Sequence, residues 1–444
     1  MIRKLLRRVF RRGEPSPHKA EVIPVAKHGI RREDVSPAAR RTCEALQEAG
    51  HQGYVVGGAV RDLIAGIPPK DYDVATNATP EQVRHLFRRS RIIGRRFQIV
   101  HVMFGAETIE VSTFRAAHDD STLKDAHGRV LRDNVWGNMA EDADRRDFTC
   151  NALYYDPTAQ TVIDYHHGVQ DLQRKTMRMI GDPRARYRED PVRMLRAVRL
   201  SAKLGLRLDP AMQAPIREMA ELMDNVPSAR MFDEMLKLLF SGHAIECVKR
   251  LREDGLHHGV LPLLDVILEQ PLGEKFVMAS LASTDARVRA GKSTSPGFLF
   301  ATLLWHEVLA DWEKRKKDGK LAQLAMFDAM DEVLYRQAEK LAITKRIVGD
   351  IKDTWALQPR FDKRAGKSPY RLLEQPRYRA AYDFLLLRAE SGEVPQELAD
   401  WWTEFADADE DRRTEMLLPD NGPTKRRRSR GRKKVGAGEA PTEA

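Results

Sequence analysis

The spacing of apolar and polar residues changes character along the chain. From Thr42 to about Tyr165, short β-like runs alternate with helical stretches, and the best strand candidates are residues 54–56, 99–104 and 108–114. Beyond about Val169 the strand signals fade, and helical periodicity continues almost to Phe405. The pattern predicts an α+β fold in which a head, with a small mixed or antiparallel sheet and helices, precedes an all-helical neck and body.

The ends of the chain differ in composition from its middle. Residues 13–40 are rich in proline, glycine and charge, which predicts a linker or an arm lying on the surface. A run such as 425–434 cannot bury apolar area, and disorder is expected there. The predicted organisation is a basic N-terminal arm (1–40), a head (41–168), a helical neck (169–226), a second helical region (227–290), a helical body (291–406) and a disordered basic tail (407–444).

Charge narrows the class of partner. The formal net charge is +10 and the sequence pI is near 9.4, which favours RNA, DNA or an anionic membrane face. The three cysteines are far apart and odd in number, so neither a disulfide framework nor a zinc site is expected, and a reducing cytoplasm is the predicted location. No stretch approaches the roughly 20 apolar residues of a membrane span.

The first twelve residues are amphipathic in a helical projection. Ile2, Leu5, Leu6 and Val9 recur at helical spacing, opposite Arg3, Lys4, Arg7 and Arg8. Basic residues interrupt every apolar pair, so the segment is not a secretory signal. A helix lying on anionic lipid or RNA and a frayed basic tail both remain open, and peripheral membrane contact is one expectation.

A strand, a tight turn and a helix are predicted for residues 54–62. Gly57 and Gly58 stand at the turn, where a missing Cβ lets the backbone approach a ligand, and the helix start beyond offers N–H groups to phosphate. Arg61, one turn into the helix, could add a charge-assisted contact. Paired glycines between a strand and a helix are more often only a turn, so both interpretations stay open.

Two aspartates follow a Pro-Pro turn. In an extended segment, residues two apart face the same way, so Asp71 and Asp73 project together. Two carboxylates on one face repel unless a cation lies between them, which suggests a Mg²⁺ site of the kind used in two-metal phosphoryl transfer. Glu110, on the polar face of the strand candidate 108–114, could lie beside the pair. A solvated turn, and a structural salt bridge for Glu110, are the alternatives.

Two further basic runs carry candidate ligands. Arg145 and Arg146 could reach phosphate or sugar, while Asp147 is placed to bind metal indirectly, to hold one of those arginines, or to cap a helix. A neck helix is predicted to begin at Pro191, because proline suits the first helical position. Its arginines at three-residue spacing share one face, beside a stripe of Leu195, Val198 and Ala202; they are Arg193, Arg196 and Arg199. Asp190 is either the N-cap of this helix or a hydrogen-bond partner for an incoming base.

Taken in order, these motifs resemble a known family. The runs GGAVRD (57–62), KDYDV (70–74), IEVSTFR (109–115), RRDFTCNAL (145–153) and REDPVR (188–193) are similar to motifs of the nucleotidyltransferases that include bacterial poly(A) polymerases and CCA-adding tRNA enzymes. The resemblance covers about residues 40–260. It implies that Gly58 and Arg61 contact the triphosphate, that Asp71 and Asp73 hold the metals, and that Asp147 belongs to the catalytic set. The neck set, Asp190 with Arg193, Arg196 and Arg199, would line the nucleotide pocket.

Several segments favour the poly(A) polymerase branch. Residues 92–102 look like the segment that separates it from the tRNA enzymes, and the basic tail and residues 378–388 look like the same branch. Residues 228–238 resemble an RNA-binding helix shared by both, which makes 227–290 the expected RNA-binding region. Ala59 and Cys150 stand where glycine and isoleucine are common, and neither has an assigned role.

The resemblance implies template-independent addition of adenylate to RNA 3′ ends, with ATP as substrate and pyrophosphate as product. Mg²⁺, with Mn²⁺ as an alternative, is the expected cofactor, and hydrogen bonds from Asp190 and Arg193 to the base edge are our hypothesis for adenine selection. A role in RNA decay and mRNA processing, with RNA-decay machinery as partner, is implied as well. A CCA-adding tRNA enzyme and a non-catalytic RNA-binding scaffold are the rivals.

Overall fold

The computed structural model describes residues 19–94, 98–116, 135–256, 271–338 and 341–419. The amphipathic N-terminal stretch, residues 95–97 of the branch-specific segment and the basic tail lie outside the described residues. The chain divides into two compact units, 1–352 and 353–444. Their boundary falls within the stretch 291–406 that the sequence predicts as a single helical body.

An eight-stranded sheet forms the head, in the order β1-β8-β7-β2-β3-β6-β5-β4. Its strands are β1 (Glu21–Pro24), β2 (Gly53–Val56), β3 (Asp73–Thr76), β4 (Ser90–Ile93), β5 (Ile99–Phe104), β6 (Glu107–Thr113), β7 (Leu153–Asp156) and β8 (Thr161–Asp164). Neighbouring strands are antiparallel except β3 and β6, which run parallel. Two short strands, β9 (Thr176–Met177) and β10 (Arg207–Leu208), form a separate parallel pair.

The strongest strand predictions are confirmed. Residues 54–56, 99–104 and 108–114 correspond to β2, β5 and β6 within a residue at each end. The expectation of a linker or surface arm at 13–40 is wrong for part of that range, since β1 pairs with β8 at the edge of the sheet. Only Ile23 of β1 is buried, so its short, proline-ended sequence carries too weak an alternation to be recognised.

Helices cover the sheet and continue beyond it. In the first unit they are α1 (Val25–His28), α2 (Pro37–Glu48), α3 (Gly58–Ile64), α4 (Pro80–Leu86), α5 (Met139–Asp144), α6 (Gly168–Gln173), α7 (Pro183–Glu189), α8 (Val192–Leu204), α9 (Pro210–Glu218), α10 (Ser228–Leu239), α11 (Ala244–Glu253), α12 (Pro271–Arg289), α13 (Pro296–Lys317) and α14 (Ala322–Ala338). Their starts follow local chemistry: Ser36 caps α2, Thr79 closes a capping box on α4, and Asp182 caps α7.

Helix α8 is the predicted neck helix. It follows Pro191 and ends at Gly205, whose φ of 62° lies in the left-handed region that favours glycine. Leu195 and Val198 are buried, as the apolar stripe requires. The arginine row that the sequence predicted therefore lies on one helix, whose apolar side is buried within the first unit.

The second unit is helical in its described part. Helix α15 (Lys345–Leu357) leads into it, and a 3-10 turn (Gln358–Arg360), α16 (Ser368–Leu373), α17 (Tyr378–Glu390), α18 (Gln396–Asp407) and α19 (Glu410–Met416) follow. Its core is aromatic: Trp402 is fully buried, packs edge-on against Phe361 and donates its Nε1–H to the Phe361 carbonyl oxygen at 2.8 Å. Among the described residues of the whole chain, no helix is long and apolar enough to cross a membrane.

Candidate active site

The turn between β2 and α3 requires glycine. Gly57 has φ 68° and ψ −125°, and a Cβ there would lie 3.0 Å from Nη1 of Arg146. The Gly57 N–H donates to the Leu153 carbonyl oxygen on β7 at 3.2 Å, while Gly58 begins α3. The missing Cβ of Gly57 therefore leaves room for the Arg146 guanidinium, and close approach of a ligand to this turn stays a prediction.

Arg61 is held inside the protein. It is 6% exposed, and its guanidinium donates to Asn151 Oδ1 at 2.6 Å and to Asp62 Oδ1 at 2.8 Å. Asp62 also accepts from Lys203 on the neck helix at 2.6 Å. Arg61 lines the cleft described below, but its charge is already paired, and its hydrogen bond to Asn151 ties α3 to the run 145–153, while Asp62 makes the contact with the neck.

The aspartate pair lies at the start of β3. Asp73 stands beside Glu110 in the parallel register of β3 and β6, and Asp71 precedes the strand and is exposed. Desolvation by the surrounding protein, with repulsion from Glu110 and Asp71, raises the pKa of Asp73 to about 6, although Arg146 opposes the shift. Asp73 thus lies among carboxylates whose mutual repulsion a cation would relieve.

Glu110 already has a partner. Its Oε1 lies 3.2 Å from Nε2 of His101, the residue opposite it on β5, and its side chain is 51% exposed. Within the described ranges, no three His, Cys, Asp or Glu side chains are grouped closely enough to hold a metal ion. The donor chemistry of Asp71 and Asp73 fits a divalent cation, because both supply carboxylate oxygens and Asp71 forms no hydrogen bond or ion pair with any described residue. Glu110 as a third ligand stays a prediction.

Arg146 lies beneath the glycine turn. Its guanidinium donates to Asp142 at 3.1 Å, to the Tyr154 hydroxyl at 3.2 Å and to the Asn151 carbonyl oxygen at 3.2 Å. Burial alone would lower the pKa of Arg146, but Tyr154 and Asp142 outweigh it and raise that pKa. The arginine is therefore a fixed, half-buried positive charge close to Asp73.

Asp147 anchors the neck to the head. Its Oδ2 accepts from Nε and Nη2 of Arg196 at 2.8 and 2.6 Å, and its Oδ1 accepts from Asn151 Nδ2 and from the Phe148 N–H. Burial would raise the pKa of Asp147, but the charge of Arg196 and these hydrogen bonds lower it. The sequence predicted that Asp147 might hold Arg145 or Arg146, and it instead holds an arginine from α8. The helix-cap alternative is wrong, because the 3-10 helix that follows (Thr149–Asn151) has Phe148 at its N-cap position and no side-chain cap.

Arg145 has a structural contact rather than a place in the cleft. Its Nη1 donates to the Ala116 carbonyl oxygen at 3.0 Å, and its own carbonyl oxygen accepts from Arg186 at 2.7 Å. It joins the loop after β6 to the neck helix α7. Arg145 is therefore not among the residues that the structure brings to the cleft, although the sequence placed it there.

The neck arginines divide into two kinds. Nη1 of Arg193 donates to Glu189 Oε2 at 2.7 Å and to the Arg186 carbonyl oxygen at 2.8 Å, so its guanidinium is set in position at the cleft. Arg196 is held by the head. Arg199 does not line the cleft; its Nε is buried without a hydrogen-bond partner among the described residues, and burial lowers its pKa.

Asp190 joins the neck to the next helical region. Its Oδ2 accepts from Nη2 of Arg230, on α10, at 2.7 Å, and its Oδ1 accepts weakly from the Val192 N–H at 3.3 Å. The N-cap position of α8 is Pro191 rather than Asp190, and a hydrogen bond from Asp190 to an incoming base stays a prediction. Arg230 was missed as a site residue, although its run was recognised as part of an RNA-binding helix.

These side chains surround a cleft of about 460 Å³. It is lined by Gly57, Gly58, Arg61, Asp73, Arg146, Asp147, Asn151, Asp190, Arg193, Arg196 and Arg230. The lining combines the metal-ligand candidate Asp73 with arginines suited to phosphate and to a base edge. Asn151 could have been found from the run 145–153, because an amide next to Asp147 is positioned to orient it.

Comparisons with known proteins agree with this geometry. Residues 53–178 match the "Poly A polymerase head domain", 205–268 the "Probable RNA and SrmB- binding site of polymerase A", and 318–434 the "Polymerase A arginine-rich C-terminus". Poly(A) polymerase I of Salmonella typhimurium is 44% identical over 433 residues, which is 94% of this chain and 93% of that protein.

CCA-adding enzymes are more distant. The enzyme of Bacillus velezensis is 34% identical over 67% of this chain and 74% of its own. The crystal structure of the Bacillus stearothermophilus CCA-adding enzyme with CTP aligns with a TM-score of 0.57 at 26% identity, covering 83% of this chain and 82% of that one. The fold and the cleft thus define the protein as a nucleotidyltransferase. Within that class, the chain belongs to the bacterial poly(A) polymerase family.

Proposed function

We propose that the protein adds adenylate to the 3′ end of RNA without a template, consuming ATP and releasing pyrophosphate. The observation that carries this proposal is the convergence of Asp73, the glycine turn and the neck arginines on one cleft. The choice of ATP and RNA is supported by the likeness to poly(A) polymerase I over most of the chain. RNA binding is also supported by the matched segment 205–268.

The cleft residues divide the work by position. Gly57 and Gly58 let the triphosphate approach the start of α3, and the half-buried charge of Arg146 lies next to that turn. Asp147 keeps Arg196 aimed into the cleft, so it acts as a positioning residue in our proposal as well as a member of the catalytic set. Mg²⁺, or Mn²⁺, held by Asp71 and Asp73 with Glu110 as a third ligand, would activate the 3′ hydroxyl and neutralise charge on the leaving pyrophosphate.

Selection of adenine is assigned to Asp190 and Arg193. Each is tied to a neighbour before any nucleotide arrives: Asp190 to Arg230 and Arg193 to Glu189. Groups fixed in this way lose little freedom on binding, so they can reject a base whose donors and acceptors do not match. A mismatched base would give up hydrogen bonds to water without gaining partners from these two groups, and that loss is the source of discrimination in our proposal.

The two rivals make different demands. A CCA-adding enzyme would use CTP and accept only tRNA-like ends, and CCA-adding relatives match this chain over a smaller share of its length than poly(A) polymerase I does. A non-catalytic scaffold would have no need for Asp73 beside Glu110 and Asp71, where desolvation and repulsion from these two carboxylates raise its pKa.

The wider role follows from the activity. A cytoplasmic enzyme of this kind would mark RNA for decay and act in mRNA processing, with RNA-decay machinery as its protein partner. The basic tail would strengthen RNA binding electrostatically, so this contribution would weaken with salt and would not depend on the RNA sequence. Peripheral membrane contact through the N-terminal stretch belongs to the same proposal.

Primer extension tests the activity directly. A short unstructured RNA would be incubated with Mg²⁺ and each of the four nucleoside triphosphates in separate reactions. Long ladders with ATP alone, absent in the Asp71→Ala, Asp73→Ala double variant, are expected. One or two additions that depend on CTP and on a tRNA-like end would instead place the protein with the CCA-adding enzymes.

A further inference from the structure

A strongly basic surface lies in the second unit. Residues 360–379 contain seven arginines and lysines but only two carboxylates. We use the name cationic patch for five of these cations, which run from the 3-10 turn to α16: Arg360, Lys363, Arg364, Lys367 and Arg371. None of the five belongs to the residues that line the catalytic cleft.

Most of the cationic patch is uncompensated. Arg360, Lys363, Lys367 and Arg371 have no ion pair or side-chain hydrogen bond with the residues that the structure describes. Elsewhere in the same unit arginines are neutralised, as in Arg388 with Glu393 at 2.8 Å. Like charges gathered without counterions repel one another, so a polyanion that replaces small counterions there gains free energy.

The surface is presented on a fixed scaffold. The guanidinium of Arg364 lies 5.9 Å from the ring centroid of Trp401, and the Arg364 carbonyl oxygen accepts from the Leu418 N–H at 3.0 Å. The next anchor is the Phe361 carbonyl oxygen, which accepts from the buried Trp402. The cations therefore project from a segment whose backbone is held at two points, and little order has to be created on binding.

The chemistry of the patch favours RNA over a protein partner. A protein interface needs a desolvated apolar or aromatic centre. Among the described residues of the second unit, Leu418 is the only large apolar side chain that is exposed. Exposed cations without an apolar anchor suit a flexible chain of phosphates, whose binding is electrostatic and independent of sequence.

We infer that the cationic patch binds the phosphate backbone of the RNA substrate. This inference rests on the proposed function for the identity of the polyanion, and it adds a folded RNA contact to the one proposed for the basic tail. Lys363, Lys367 and Arg371, which are exposed, carry most of the contact.

The test compares salt dependence in full-length variants. Binding of a fluorescent, unstructured RNA of about 15 nucleotides would be measured by anisotropy for the wild type and for the Lys363→Gln, Lys367→Gln, Arg371→Gln variant. Each lost phosphate contact lowers the slope of log affinity against log salt by about 0.7, so the triple variant should lose about 2 from its slope. Between 50 and 200 mM salt the wild type should therefore lose about 20-fold more affinity than the variant.

Two further variants give the controls. Lys314→Gln, Lys317→Gln, Lys345→Gln removes the same charge from exposed lysines of the first unit and should keep the wild-type slope. Lys363→Arg, Lys367→Arg, Arg371→Lys keeps the charge of the patch and should also keep it. Equal slopes for the wild type and the patch variant, or equal losses in the patch and first-unit variants, would overturn the inference.

A competition experiment separates RNA from an acidic protein partner. Unlabelled RNA should displace the labelled RNA from the wild type far better than poly-glutamate of equal charge. Displacement by poly-glutamate to the same extent would overturn the RNA assignment. These binding measurements do not depend on nucleotide addition. If the wild type failed to incorporate ATP, the proposed function would be contradicted, while RNA binding by the cationic patch would still be tested by the salt-dependence slopes.

Discussion

Replacing Asp147 with asparagine removes one charge from a pair that joins the head to the neck. The wild-type carboxylate accepts two hydrogen bonds from Arg196 with one oxygen and hydrogen bonds from Asn151 and the Phe148 N–H with the other. An asparagine has a single acceptor oxygen. In either orientation its amide group faces at least one donor, so Arg196 or the Phe148 N–H loses its acceptor.

The expected cost can be worked from burial. The Asp147 side chain is 10% exposed and that of Arg196 is 33% exposed. Removing one partner of a fully buried ion pair costs about 3–5 kcal/mol. Solvent reaches part of Arg196 and screens it, so we expect a loss of about 2 kcal/mol in the free energy of unfolding of the first unit.

A double-variant cycle with Arg196→Gln isolates the pair. Thermal unfolding at pH 7 should show a coupling of about 1–2 kcal/mol between the two substitutions. Burial would raise the pKa of Asp147, but Arg196 lowers it, so the stabilisation is complete above the unfolded carboxylate pKa and is lost as the pH falls through the folded one. The difference between wild type and Asp147→Asn should therefore shrink in strong acid.

Additive effects of the two substitutions would refute the reasoning. ATP binding measured without divalent metal gives a second readout, because a residue that acts only through metal would leave it unchanged. Our expectation is weaker ATP binding in Asp147→Asn, since Arg196 is no longer fixed. Unchanged metal-free affinity together with additive stabilities would mean that Asp147 does not position Arg196.

Four other expectations follow from the site and the tail. Gly57→Ala puts a Cβ at φ 68° and 3.0 Å from the Arg146 guanidinium, so the free energy of unfolding should fall by about 1–3 kcal/mol and ATP binding should weaken. The control Gly66→Ala is strained at φ 71° but meets no neighbour, so it should lower the melting temperature and leave ATP binding unchanged. Asp73→Asn should raise the melting temperature at pH 7.5 without metal but not at pH 4. The pKa of Asp73 in the folded protein is raised to about 6, so the folded state favours the protonated carboxyl and loses that stabilisation as the pH rises through about 6. A lower melting temperature of the variant at pH 7.5 would contradict this. Arg193→Ala should relax the preference for ATP over CTP in single-nucleotide addition, and a uniform loss of rate with preference intact would argue against base reading by this residue. A chain truncated after Asp420 should keep activity on short RNA yet bind RNA less tightly at moderate salt, and equal affinity would remove the tail from the RNA-binding surface.

The sequence predicted those parts of the site that depend on local spacing. Alternation placed Glu110 on the polar face of β6, and the period of three placed Arg193 and Arg196 on one face of α8. Both follow from backbone geometry that is independent of tertiary contacts. The Gly57 turn could likewise be recognised, because the chain passes from strand β2 to helix α3 there within one residue.

The sequence could not predict which side chains from distant parts of the chain pair with one another. Asp147 could have met any nearby arginine, and only the fold shows that its partner is Arg196 from the neck. The same holds for Arg230, whose position beside Asp190 depends on how α10 packs on α8. Arg199 belongs to the predicted row by helical spacing, but it is not among the residues that line the cleft.

The pairing of β1 with β8 has a consequence for how the chain can be shortened. β1 reaches the sheet from the beginning of the described chain and covers the outer edge of β8 along all four residues. A chain that begins after Pro24 would leave that row of backbone donors and acceptors open, beside the half-buried Ile163 and the buried Val162. Open strand edges pair with one another, so such a chain would be expected to self-associate and precipitate while its cleft residues were all present.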